Sequence, residues 1–238
     1  MKKIAIIIAG GSGSRMGQDI PKQFLNVNEK PVILYTLQAF QDHPNIDAII
    51  VVCLEGWHEI LKAYAKQFGI NKLVSVVNGG DCGQASIKNG LIEAKKKFSL
   101  NDIILIHDAI RPMVSKDVIS DCIVKCEQYG NATAVVPCTT VVLERNEEEY
   151  AENTVDRDTL YLSQTPQAFI LKDILSAHKE AESKGIFNSL ASCSLYTTLG
   201  RKVYYSLGDE TNIKLTRTGD LQIFKALLSV KNDDWIKE

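Results

Sequence analysis

Residues 4–17 read Ile-Ala-Ile-Ile-Ile-Ala-Gly-Gly-Ser-Gly-Ser-Arg-Met-Gly, and Pro21-Lys22-Gln23 follows closely. The opening apolar run suits a strand buried on both faces, as in a parallel sheet covered by helices. It breaks at Gly10, Gly11 and Gly13. Glycine permits positive φ and lets a ligand approach the backbone closely. Bare N–H groups in such a loop cradle phosphate oxygens. Two cations follow, Arg15 and Lys22, with Pro21 stiffening the chain before the second. A strand, a glycine loop and two cations fit a polyphosphate site. The glycines alone fit a tight strand-to-helix turn equally well.

Two phosphate loops are excluded by spacing. The P-loop needs Gly-x-x-x-x-Gly-Lys-Ser/Thr, and no count from Gly10, Gly11 or Gly13 reaches a Gly-Lys pair. The dinucleotide fingerprint Gly-x-Gly-x-x-Gly fails because Met16 stands where its third glycine belongs. What remains, Ala-Gly-Gly-x-Gly-x-Arg-Met-Gly with Pro-Lys-Gln after it, resembles the nucleotidyltransferases that join a nucleoside triphosphate to a sugar or polyol phosphate. Pro21-Lys22-Gln23 narrows the resemblance to the cytidylyltransferases acting on 2-C-methyl-D-erythritol 4-phosphate and ribitol 5-phosphate.

The rest of the chain alternates strand and helix. Strand-like runs cover 46–53, 73–77, 103–106 and 132–136; helical patterns cover 31–40, 57–68, 84–97 and 118–129. That rhythm predicts an α/β fold, a mostly parallel sheet with helices on both faces. Residues 138–167 break it, with β-rich pieces around the acidic stretch 144–152, and are read as a projecting β-arm or a long surface hairpin. Helices over 172–183 and 190–199, a strand over 202–207 and a helix over 219–229 capped by Thr218 complete the expectation. At 238 residues, one domain covering 1–238 is expected.

A net charge of −2 argues against a general nucleic-acid binder. No segment approaches membrane-spanning length. The run after Lys2-Lys3 is too short for a signal peptide. None of the six cysteines forms a Cys-x-x-Cys, which disfavours zinc and suits free thiols in a reducing compartment. A cytoplasmic protein is expected.

In an open parallel sheet, ligands bind at the carboxyl ends of the strands. Three such ends carry chemistry here: the glycine loop from Ala9, Asn78-Gly79-Gly80-Asp81, and His107-Asp108-Ala109-Ile110-Arg111-Pro112. Asp108 suits Mg²⁺, which binds through few carboxylates plus substrate phosphates; it suits a helix cap as well. Arg111 fits a phosphate clamp or a surface ion pair.

Further motifs extend the resemblance along nearly the whole chain: His-Asp-Ala-x-Arg-Pro at 107–112, Thr-Val-Asp-Arg at 154–157, Thr-Pro-Gln at 165–167 and Asn-Ile-Lys-Leu-Thr at 212–216. It implies a three-layer Rossmann-like nucleotidyltransferase fold whose β-arm embraces a second subunit in a homodimer. It implies that Ala9, Gly10, Gly11, Gly13, Gly79, Gly80, Asp81 and Ser86 bind CTP, with Gly79, Asp81 and Ser86 reading the cytosine and ribose. It implies that Arg15, Lys22 and Lys214 neutralise the reacting phosphates, and that Asp108 holds Mg²⁺. Arg111, Arg157 and Thr165 fall to the acceptor, with Arg157 reaching the partner's site.

Two departures bear on specificity. Gly83 stands where the family usually has Arg, and Asn188-Ser189-Leu190 replaces the family's Thr-Asp-Glu/Ala segment. The expected reaction is CTP plus a polyol phosphate giving CDP-polyol and pyrophosphate. Methylerythritol 4-phosphate is the acceptor slightly favoured, and ribitol 5-phosphate the alternative. A UTP- or GTP-dependent sugar-1-phosphate enzyme, a dinucleotide-binding oxidoreductase and a non-catalytic nucleotide binder are more distant.

Overall fold

The computed structural model describes residues 1–11, 20–145 and 149–232. Arg15, Gly13 and the rest of 12–19 lie outside the described residues. The elements run β1 (Lys3–Ala9), β2 (Asn26–Val27), β3 (Lys30–Pro31), α1 (Val32–Gln41), β4 (Ala48–Cys53), α2 (His58–Gln67), β5 (Leu73–Asn78) and α3 (Gly83–Lys97). Then come β6 (Ile103–Asp108), α4 (Lys116–Tyr129), β7 (Asn131–Pro137), β8 (Val142–Leu143), β9 (Thr154–Val155), β10 (Tyr161–Ile170), α5 (Leu171–Ser183), α6 (Ser192–Thr198), β11 (Tyr205–Leu207) and α7 (Thr218–Asn232).

A seven-stranded sheet has the order β11-β7-β10-β6-β1-β4-β5. β1 sits inside it, parallel to β4 on one side and to β6 on the other. Its apolar run follows from that position, because successive side chains enter opposite layers. Ala5, Ile7 and Ala9 pack with Leu37 of α1, Leu61 of α2 and Cys122 of α4. Ile4 and Ile6 pack with Leu91 of α3, Ile174 of α5 and Leu195 of α6. The result is the expected three-layer α/β arrangement. α4 shows how a local signal sets an end: Ser115 Oγ accepts from the Val118 N–H, and Gly130 closes the helix at φ +85°.

The expected arm divides. Residues 142–143 and 154–155 form a small antiparallel ribbon away from the main sheet. Residues 161–167, assigned from sequence to the arm, belong to the sheet: β10 lies antiparallel between β6 and β7. Its polar Ser-Gln-Thr-Pro-Gln middle hides the strand pattern, whereas the wholly buried Ala168 and Phe169 anchor it. The register shift between Ser163 and Gln167 accounts for that irregularity. Two other elements are shorter than expected, α6 starting at Ser192 and β11 at Tyr205. Thr218 is the first residue of α7, and the Asp220 carboxylate takes the Thr216 and Arg217 N–H groups instead. No described helix is long and apolar enough to cross a membrane.

Candidate active site

The carboxyl ends of β1, β5 and β6 open into one cleft of about 710 Å³. At its floor the β1 and β5 loops touch. A Cβ on Gly10 would lie 3.1 Å from Gly79 Cα, and one on Gly80 would lie 2.6 Å from Ala85 Cβ. Neither Gly10, Gly11, Gly79 nor Gly80 has positive φ, so close approach, rather than left-handed backbone, is what requires glycine at 10 and 80. The Gly79 N–H donates to Cys53 O at 2.9 Å, and the Gly80 N–H donates to Ser86 Oγ at 3.0 Å. The Ser86 hydroxyl thus braces the 79–80 turn from the first turn of α3.

The glycine loop has its own brace. Gln23 is buried, and its Nε2 donates to Ala9 O at 2.8 Å and Gly11 O at 2.9 Å. Sequence reading quoted Gln23 within Pro-Lys-Gln without a role. Its signal, a polar residue beside an apolar Phe24, does not say which backbone it serves.

The other wall is charged. Asp108, at the end of β6, pairs with Arg111 Nε at 3.1 Å and with Lys214 Nζ at 3.1 Å. Burial alone would raise the Asp108 pKa, but the Lys214 and Arg111 charges outweigh it and hold the carboxyl below its usual range. Arg111 Nη1 also donates to Asn212 O at 2.7 Å. Asn212 is wholly buried, and its Nδ2 donates to Gln164 Oε1 and Thr165 O. It ties the segment carrying Lys214 to β10. Leu215 completes that anchorage by packing with Ile110 and with Phe224 of α7.

The cleft therefore brings together Ala9, Gly10, Gly11, Lys22, Gly80, Asp81, Ser86, Asp108, Arg111, Thr165 and Lys214, all expected from sequence. Gly79 backs the floor. Arg157 does not line it: half exposed, it donates from Nη1 to Thr139 O at 2.8 Å. Residues missed by sequence reasoning are Gln23, Gln164 and Asn212 as braces. The Gln84 amide holds the 186–189 loop, donating to Ile186 O and accepting from the Ser189 N–H, both at 2.8 Å. A side chain at Gly83 would meet open space, so no steric demand explains its departure from Arg.

The donor set fits one kind of metal site. Among the described residues no three His, Cys, Asp or Glu side chains converge. A single carboxylate beside cationic phosphate ligands suits an ion carried largely by substrate phosphates, as Mg²⁺ is. The arrangement is suited to binding two phosphorylated molecules and to stabilising charge developing between them.

Comparison with known proteins agrees with that chemistry. A family model described as IspD, 2-C-methyl-D-erythritol 4-phosphate cytidylyltransferase, matches residues 3–230. The ribitol-5-phosphate cytidylyltransferase of Lacticaseibacillus paracasei is 43% identical, over 95% of this chain and 98% of that one. The ribitol-5-phosphate cytidylyltransferase of Vibrio parahaemolyticus is 40% identical, over 97% of each. A 2-C-methyl-D-erythritol 4-phosphate cytidylyltransferase of Clostridium botulinum is 37% identical, over 95% of this chain and 97% of that one. Among solved structures, the 4-diphosphocytidyl-2C-methyl-D-erythritol synthase of Anaerococcus prevotii superposes with TM-score 0.81 at 26% identity, covering 96% of each chain. With fold, cleft and whole-length similarity in agreement, the chain belongs to the IspD family and is a cytidylyltransferase.

Proposed function

We propose that this enzyme transfers the cytidylyl group of CTP to ribitol 5-phosphate or a closely related polyol phosphate, releasing pyrophosphate. The observation that carries the acceptor is the whole-length similarity to two ribitol-5-phosphate cytidylyltransferases, at 43% and 40% identity. This reverses the order favoured from sequence, which put methylerythritol 4-phosphate first. That acceptor remains the second reading, supported by the description of the family model and the 37% identical relative.

An acceptor phosphate oxygen attacks the α-phosphorus of CTP in line. The new P–O bond forms as the bond to the β-phosphate oxygen breaks, and pyrophosphate leaves with that electron pair. No protein nucleophile is required. Lys22, Arg111 and Lys214 offset the repulsion between two polyanions, and Gly79, Gly80, Asp81 and Ser86 seat the nucleoside. Arg15 is assigned to the same phosphates by the family motif. Mg²⁺ supplies further screening of the triphosphate when bound, with Asp108 as its protein ligand. Arg157, outside its own cleft, acts on the acceptor phosphate of a second copy across a homodimer built on the 138–160 arm, where Val141 and Leu143 lie exposed. Six free cysteines are compatible with a cytoplasmic setting.

The test is pyrophosphate release with CTP, UTP, ATP and GTP against both acceptors. CTP with ribitol 5-phosphate is expected to give the highest kcat/KM. A tenfold preference for methylerythritol 4-phosphate would overturn the acceptor assignment, and equal use of all four nucleotides would overturn the base.

A further inference from the structure

His107 is wholly buried at the end of β6, between the ring of Phe40 and Thr165 of β10. It does not line up with the substrate-facing charges as a ligand for phosphate; both its nitrogens are spent inside the protein. Nε2 lies 3.2 Å from Arg111 O. A carbonyl oxygen only accepts, so the ring hydrogen sits on Nε2. Nδ1 then carries the lone pair, and the Thr165 hydroxyl, 3.0 Å away, donates to it. With its hydrogen committed, Thr165 Oγ1 accepts the Asp108 N–H at 3.1 Å.

Three hydrogen bonds thus run in one direction, from the Asp108 N–H through Thr165 and His107 to the Arg111 carbonyl. They start and finish on the backbone of the one turn that carries both charged side chains. Among the described residues that turn has one backbone–backbone bond of its own, the Arg111 N–H to Asp108 O at 3.1 Å, beside the Arg111 Nε–Asp108 carboxylate pair. Arg111 is then held at its carbonyl by His107 and at its guanidinium by Asn212, and its side chain is only 11% exposed. Lys214, whose side chain is 44% exposed, has no comparable fixation among its described contacts.

We propose that His107 is a positioning residue for the cytidylyl transfer, fixing the Asp108–Arg111 turn through the Thr165 relay so that carboxylate and guanidinium meet the reacting phosphates preorganised. It never touches substrate. The inference rests on the cytidylyl-transfer reading of the cleft. Electrostatic groups that must reorient during reaction lose much of their effect, and a displacement near 1 Å costs on the order of 10²-fold in rate.

The experiment compares full-length His107→Phe, His107→Gln, Thr165→Val and the double variant His107→Phe/Thr165→Val, well below each melting temperature. His107→Phe keeps a ring but breaks both bonds, and is expected to lower kcat by about 10- to 100-fold with KM for CTP changed by about twofold or less. His107→Gln keeps a donor for Arg111 O and should recover part of kcat. Thr165→Val cuts the same relay at its middle and serves if the Phe variant does not fold. The double variant should cost little more than the worse single change, because one relay is broken only once. Wild-type kcat per folded molecule in His107→Phe or Thr165→Val, or additive losses in the double variant, would overturn the proposal. If the wild type fails to turn over CTP with any acceptor, the functional reading fails and this proposal falls with it. Wild-type turnover matched by the variants removes the proposal alone.

Discussion

Asp108 is the charge around which one wall of the cleft is arranged, since two cations share its carboxylate. An amide there would leave Arg111 and Lys214 without their counter-charge, yet both reach the cleft and can be solvated. Asp108→Asn is therefore expected to fold and to lose about 10²-fold in kcat. Turnover followed against magnesium concentration is the check. A titration curve like that of the wild type would place the metal elsewhere. His178 shows a different residue-scale effect. It is buried in α5 with no partner for Nε2 among the described residues, faces Glu182 and Lys88, and burial pushes its pKa down to about 4. Burial pushes His107 down to about 4 as well. The unfolded chain then binds more protons than the folded one between about pH 6.5 and 4. Stability is full above that window and falls as pH drops through it, by up to about 1.4 kcal/mol per pH unit for each histidine. Urea midpoints for His178→Leu should fall less steeply with acid than those of the wild type. Parallel curves would show that His178 contributes nothing to acid sensitivity.

At the scale of elements, α3 is what brings the Gly79–Asp81 loop to the glycine loop of β1. It can do so because Gly90 lets the helix sit directly on the sheet. A Cβ at 90 would lie 2.6 Å from Ile6 Cγ2 and 2.9 Å from Val52 Cγ2, both on buried side chains. Alanine gains up to about 1 kcal/mol in helix propensity but overpacks at a cost of about 1–3 kcal/mol. Gly90→Ala is expected to lose about 1 kcal/mol or more in urea unfolding, with a raised KM for CTP as the loop lifts. A variant as stable as the wild type would show that the layers have room to adjust. The strand β10 carries the contrasting lesson. The alternating rhythm of strands and helices was legible because each element repeats its own period over many residues. β10 was not, because its bulge and its buried Gln164 and Gln167 look like a loop in sequence.

At the scale of the whole molecule, the proposed homodimer gives the arm and Arg157 a role. A two-stranded ribbon is marginal in water by itself, and here it leaves Val141, Leu143 and Tyr150 exposed. A two-fold partner would cover them and carry Arg157 to the neighbouring cleft. Mixing inactive Arg157→Ala chains with inactive Lys22→Ala chains should restore up to roughly a quarter of wild-type activity, through the one intact site of each heterodimer. Differently tagged chains establish that exchange has occurred. Heterodimers that form and remain inactive would confine Arg157 to its own chain.

The sequence by itself determined the layered α/β fold, the three loops at the strand ends and the charged residues they carry, because these depend on local period, glycine and short motifs. Only the tertiary structure decided what holds those residues in place. Gln23, Gln84, His107 and Asn212 act on backbone atoms that lie 14, 102 and 47 positions away in the chain for Gln23–Ala9, Gln84–Ile186 and Asn212–Thr165, and, for His107, on the turn after it through Thr165 on another strand. A buried polar side chain announces that it needs a partner, but which partner it finds is settled by the packing of distant strands.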